Sequence, residues 1–271
     1  MNAMILPLIG SQHAPAHQQR WHVGGVWHRA VNLYTDRGEQ LTLHDRGRGL
    51  TPGGWLLRHR DFIRVCHALQ AGKRVEADEQ ALHIGHLTLR PPQRRCSLSL
   101  RVRPNCLALP ASVLDLPEET GLFGLLSQAI AAPFPAELKQ FCHCFSAALQ
   151  GEIQDWRPWL GRGPGLTPSS DDMLVGMLLA AQLDGVLSPQ QCEEFFAASG
   201  NLFVVTTRVS ASYLRYASQG LFGSPLLHFA TSLQRGLRIA QSVEKLLGVG
   251  HTSGADTLLG FWLARQLITK G

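Results

Sequence analysis

The chain has 271 residues, 45% of them hydrophobic and 17% charged, which allows a sizeable core and excludes a disordered chain. Its net charge of +5 is unevenly placed: residues 1–104 carry 15 Lys+Arg against 7 Asp+Glu, and residues 105–271 carry 10 against 13. That asymmetry points to two domains, and no segment reaches the ~20 apolar residues of a membrane span, so a soluble cytoplasmic protein is expected.

Residues 20–104 read as β-rich. Short apolar runs at Val23–Val26, Ala30–Tyr34, Leu41–Leu43, Trp55–Leu57, Leu82–Ile84 and Leu87–Leu89 are broken by turn signals such as Asp36-Arg37-Gly38 and Pro52-Gly53-Gly54. The alternation over Ser97–Val102 predicts a half-buried strand, and Asp61–Leu69 a short helix. Pro104 to Pro117, with three prolines and no period, reads as a boundary. After it the pattern turns helical: a run from Pro135 to Gln150, one opened by Ser188-Pro189, an amphipathic stretch over Thr206–Ser218 and another over Ile239–Leu247. The expected class is α+β, with a β-rich barrel or sandwich over residues 1–110 and a mostly helical domain over 111–271.

The six cysteines include no CxxC pair, and reduced thiols are expected. Cys142-His143-Cys144 reads as two packing thiols around an ordinary His, because residues two apart do not share a helix face. The Arg-rich half reads first as a solvated β surface; an acidic partner or nucleic acid is the alternative.

One segment nearly occurs twice. Ser169 to Gln182 and Ser253 to Gln266 match at seven of fourteen positions with a constant offset of 84, including Ser169/Ser253, Asp172/Asp256 and Gly176/Gly260. Each copy is a polar, Gly-rich loop running into a helix that is apolar all round and hence buried. Gly176 and Gly260 are expected to let two helices approach closely.

The first loop carries Arg162, Gly163, Gly165, Thr167, Ser169, Ser170, Asp171 and Asp172; the second carries His251, Thr252, Ser253 and Asp256. Alternate glycines allow positive φ and close backbone approach to a ligand, and free N–H groups at a helix start favour an anion. Thr206, Thr207 and Arg208 add hydroxyls and a cation, with Thr206 as the expected N-cap. Both copies also fit S-x-x-D, so capping alone explains the Ser and Asp of each. It does not explain Asp171, the three alternate glycines, or Thr167 and Thr252. No GK[ST] follows the glycines, which excludes a P-loop.

The stretches GRGPGLTPSSDD, VVTTRVSASYLRYASQG and GHTSGADTLLGFWL, with GGVWHRAVNLYT and TPGGWLLR nearer the start, resemble a family once catalogued as a domain of unknown function, the AllH-type subunits of oxamate carbamoyltransferase. The resemblance implies interconversion of oxalurate plus phosphate with oxamate plus carbamoyl phosphate in anaerobic allantoin catabolism. It also implies two unrelated partner subunits and small anionic substrates. Charge pattern and hydropathy lead to the expectation of neither nucleic acid nor membrane as partner.

Carbamoyl transfer needs preorganised N–H, hydroxyl or Arg donors and no redox cofactor. Asp172 and Asp256 are the expected catalytic pair, accepting from a carbamoyl or amide NH₂, with the remaining loop residues binding substrate. No residue is assigned to a metal, and a divalent cation such as Mg²⁺ is the one cofactor candidate. Two rival readings stand beside this one. A metal-dependent hydrolase would use the acidic helix ends, in the style of the ADP-ribosylglycohydrolases. A non-catalytic scaffold would dock another subunit through its basic β domain.

Overall fold

Alternating apolar residues in the first third of the chain build strands that share one core. The computed structural model describes residues 3–47, 49–70, 72–103, 108–109, 116–131 and 133–270. It divides into a unit ending at Leu98 and a unit beginning at Ser99. Most of the Pro104–Pro117 boundary lies outside the described residues.

The first unit contains β1 (Ala3–Ile5), β2 (Ile9–Ser11), β3 (His22–Val26), β4 (Ala30–Tyr34), β5 (Gln40–Asp45), β6 (Gly54–Leu57), α1 (His59–Gln70), β7 (Val75–Ala77), β8 (Leu82–Ile84), β9 (Leu87–Leu89) and β10 (Arg95–Cys96). They form a six-stranded sheet of order β10-β2-β6-β5-β4-β3 and a four-stranded sheet of order β1-β9-β8-β7. Val31 pairs with Leu43 and Leu33 with Leu41 across β4 and β5, so one face of that antiparallel pair is continuously apolar. Phe62, Val65 and Leu69 of α1 close this core with Trp55, Leu82 and Leu89. Neither sheet closes on itself among the described residues, which removes the barrel alternative and leaves an α+β fold.

The expected strand over Ser97–Val102 is corrected: the strand is Arg95–Cys96, paired to Gly10 and Ser11. Beyond it the backbone finds helical-unit partners instead. Leu100 N–H donates to Gly220 O at 2.7 Å, and Ser99 bridges Leu221.

The second unit contains a hairpin of β11 (Glu119–Thr120) and β12 (Gly124–Leu125), then α2 (Leu126–Ala129), α3 (Ala136–Leu149), α4 (Ser169–Leu183), α5 (Pro189–Glu194), α6 (Arg208–Ser218), α7 (Ser224–Arg235), α8 (Ile239–Leu247) and α9 (Ser253–Lys270). The repeated segments are α4 and α9, and they form its centre. Met173, Leu174, Met177, Leu178, Leu258 and Leu259 are fully buried. Each such side chain contributes about 1.5–3 kcal/mol on leaving water.

The two helices touch backbone to backbone. A Cβ on Gly176 would lie 2.0 Å from the Thr257 carbonyl oxygen, and one on Gly260 would lie 1.9 Å from that of Met173. These contacts are reciprocal under the 84-residue offset, since Met173 corresponds to Thr257 and Gly176 to Gly260. Farther along, Arg265 Nη1 donates to Asp184 Oδ1 at 2.5 Å and joins the end of α4 to α9.

Candidate functional site

The helix starts of α4 and α9 adjoin. Thr167 Oγ1 and Ser253 Oγ lie 2.8 Å apart. Gly121, in the turn between β11 and β12, sits over both ends: a Cβ there would come within 1.9 Å of Ser169 Oγ and 3.1 Å of Thr252 Oγ1.

The loop before α4 depends on its glycines. Gly161, Gly163 and Gly165 have φ of 76°, 108° and 91°, the left-handed region that favours glycine. A Cβ on Gly163 would lie 2.7 Å from the Ser169 backbone nitrogen, so the loop folds tightly against the helix start.

Capping does not explain the serine. The N-cap of α4 is Pro168, which offers no side-chain cap, and Ser169 is already helical. Thr206 is likewise not the N-cap of α6. That role belongs to Thr207, whose Oγ1 accepts from Ser210 N–H at 3.1 Å. Thr207 Oγ1 also donates to Leu166 O, tying α6 to the loop.

The three carboxylates have different roles. Asp171 is fully engaged: its Oδ1 accepts from Gly161 N–H at 2.8 Å, and its Oδ2 accepts from Ser210 Oγ at 2.6 Å and from Thr206 Oγ1. It therefore knots the loop, α4 and α6 together. Asp256 is half engaged, with Oδ1 accepting from Gly121 N–H at 3.0 Å. Asp256 Oδ2, Asp172 Oδ2 and Ser169 Oγ are buried with no hydrogen-bond partner.

Burial dominates the electrostatics. It raises the Asp172 carboxyl well above the usual range, with Asp256 and Asp171 adding repulsion and the hydroxyls of Ser253 and Thr167 opposing it. It also raises Asp256, against the Gly121 N–H and the Thr252 hydroxyl. The Ser169 hydroxyl is near enough to lower Asp256 as well, although its geometry falls short of a hydrogen bond. Asp171 is raised by burial and held back by its own donors. Burial thus favours the neutral form of Asp172, which lessens the repulsion that neighbouring carboxylates exert on an anion.

The remaining candidates divide. Thr167, Ser169, Thr252 and Ser253 gather at the adjoining helix ends. Ser170 is turned back to the loop, where its Oγ accepts from Arg162 N–H and donates to Arg162 O, both at 3.1 Å. The Arg162 guanidinium pairs with Glu137 and lies 5.1 Å over the Trp159 ring, so it is not a free cation for substrate. Arg208 and His251 are exposed. Gly121 escapes a reading of the sequence. Gly121 meets Asp256 across 135 residues, and no local signal marks such a contact. Cys142 is buried, and burial pushes its thiol up to about 12.

These features define a chain with a β-rich unit and a mostly helical unit, the latter centred on twin helices whose adjoining starts hold two incompletely satisfied carboxylates. The chain belongs to the AllH family. A family model described as oxamate carbamoyltransferase subunit AllH matches residues 159–265, and the AllH family N-terminal domain matches residues 8–100. The first match spans both helix starts. No solved structure matches the chain.

Proposed function

We propose that the adjoining helix starts form the substrate end of a carbamoyltransferase subunit that works with two unrelated partner subunits. The reaction is phosphorolysis of oxalurate to oxamate and carbamoyl phosphate, in anaerobic allantoin catabolism. The observation that carries this reading is the set of three buried, unpartnered polar atoms: Ser169 Oγ, Asp172 Oδ2 and Asp256 Oδ2. Each costs about 1–3 kcal/mol unless a ligand satisfies it. With substrate bound, Asp172 Oδ2 and Asp256 Oδ2 carry the proton transfers, and the Ser169 hydroxyl turns from Asp256 to donate to an oxyanion.

The proton balance suits a carboxyl pair. A phosphate oxygen bonds to the carbamoyl carbon and the bond from that carbon to the bridging nitrogen breaks. The nitrogen leaves as the oxamate amide and takes one proton, while the attacking hydrogen phosphate loses one. A protonated Asp172 supplies the first proton, and an ionised Asp256 accepts the second. Such general acid–base work contributes about 10²–10⁴-fold.

The test is reconstitution with the partner subunits. Asp172→Asn and Asp256→Asn are each expected to lower oxalurate phosphorolysis by about 100-fold or more with the fold intact. Full activity in both variants rejects the assignment.

The same two oxygens favour one second reading, a divalent cation such as Mg²⁺, which is commonly held by one or two carboxylates plus substrate oxygens. Among the described residues no group of three or more His, Cys, Asp or Glu side chains is placed to hold a metal, so substrate or water would complete the sphere. Activity that survives EDTA, with no Mg²⁺ bound to the complex, removes the cation.

A further inference from the structure

The first unit holds a cleft of about 980 Å³ that the carboxylate site does not use. It is bordered by residues of β3 and β7. Both are edge strands: β3 ends the six-stranded sheet and β7 ends the four-stranded one, and among the described residues each has a neighbour on one side only. An edge strand presents a row of backbone donors and acceptors ready to pair with another strand. A lone edge is commonly protected by a lysine, whereas here two edges border one space.

The cleft is also charged. Arg20, Lys73 and Arg74 line it against a single carboxylate, Glu76. All three cations are exposed, and none has an ion-pair partner among the described residues. Its other cationic candidate, His22, is occupied by Asp36 at 2.7 Å. Val23 is 42% exposed beside them, an apolar spot in a basic rim.

We infer that this cleft is a subunit-docking site that takes an extended, acidic segment of a partner subunit as an added strand. Backbone pairing to an open edge supplies affinity, and alternate side chains supply specificity. Acidic residues at every second position of the segment would meet Arg20, Lys73 and Arg74, and an apolar residue between them would cover Val23. Charge of this kind speeds encounter and fixes register. The inference rests on membership of a subunit family, and it stands or falls separately from the roles given to Asp172 and Asp256.

The experiment compares amide hydrogen exchange of the full chain alone and in the complex with its partner subunits. Exchange at residues 22–26 and 75–77 is expected to slow on assembly. The triple variant Arg20→Glu, Lys73→Glu, Arg74→Glu is expected to weaken assembly by about ten-fold or more, with unchanged circular dichroism and a reduced salt dependence. Where the triple variant misfolds, Arg74→Ala alone should still weaken assembly measurably. Unchanged exchange at both edges in the assembled complex overturns the inference. So does slowed exchange at these strands that inorganic tripolyphosphate alone reproduces without partner subunits, which identifies the cleft as a site for small anions.

Discussion

Asp171, Asp172 and Asp256 are three buried carboxylates with distinct consequences. Asp171 accepts three donors, so Asp171→Ala strands the Gly161 N–H and the hydroxyls of Thr206 and Ser210. A loss of at least about 2 kcal/mol is expected in chemical denaturation. Asp172 behaves oppositely. Its folded carboxyl is raised above the unfolded value of about 3.9, so the folded state holds the proton more tightly. The contribution to stability is complete below the unfolded value and is lost as pH rises through the folded one. The Tm of the wild type should therefore fall relative to Asp172→Asn as pH rises from about 4, and the two should run parallel in stronger acid. Thermal melts across that range check the sign.

Much of this was readable at residue level, and the exceptions have physical causes. The φ of Gly161, Gly163 and Gly165 and the pairing of Ser169, Asp172 and their repeats follow from residue types and spacing. Thr206 and Thr207 could not be told apart as caps, because both are adjacent β-branched hydroxyls. Only the position of Asp171 draws Thr206 away from the helix. Arg162 looked free in sequence because Glu137 lies 25 residues earlier.

Among the elements, α4 and α9 were the most legible, since an apolar run with no polar face has no alternative to burial. The β11–β12 hairpin was not, because two-residue strands carry no periodicity. The Ser97–Val102 alternation misled because backbone pairing to Gly220 and Leu221 outweighed it.

The helix pair supports a further expectation. Gly→Ala in a helix ordinarily gains about 1 kcal/mol of propensity. At Gly176 and Gly260 the new methyl would meet backbone at 2.0 and 1.9 Å, and backbone cannot step aside as a long side chain can. Overpacking of about 1–3 kcal/mol should win, so each variant is expected to be less stable than the wild type. A gain in stability at either position would show that the contact is looser than described.

At the scale of the molecule, each unit has its own buried cluster, one around Leu33, Trp55 and Phe62 and the other around Trp156, Phe229 and Phe261. Calorimetry is expected to resolve more than one unfolding transition. Gly260→Ala should lower one of them and leave the other in place. A single transition shifted as a whole would indicate that the clusters unfold cooperatively. The family and the α+β class were legible from long motifs spread along the chain, whereas the open sheets required coordinates, since strand order is not written in local pattern.

The reciprocal contacts of Gly176 and Gly260 make α4 and α9 two halves of a pseudo-dyad within one polypeptide. A dyad treats both ends of whatever lies on it alike. For the proposed substrate, oxalurate, whose ends are unlike, direction would come from the places where the halves disagree. The chief disagreement is Asp171, whose counterpart at the 84-residue offset is Ala255. One half spends a carboxylate on fastening its own loop, while the other leaves Asp256 to the Gly121 turn. Under the proposed function, handedness toward the substrate would be written in the imperfections of the repeat.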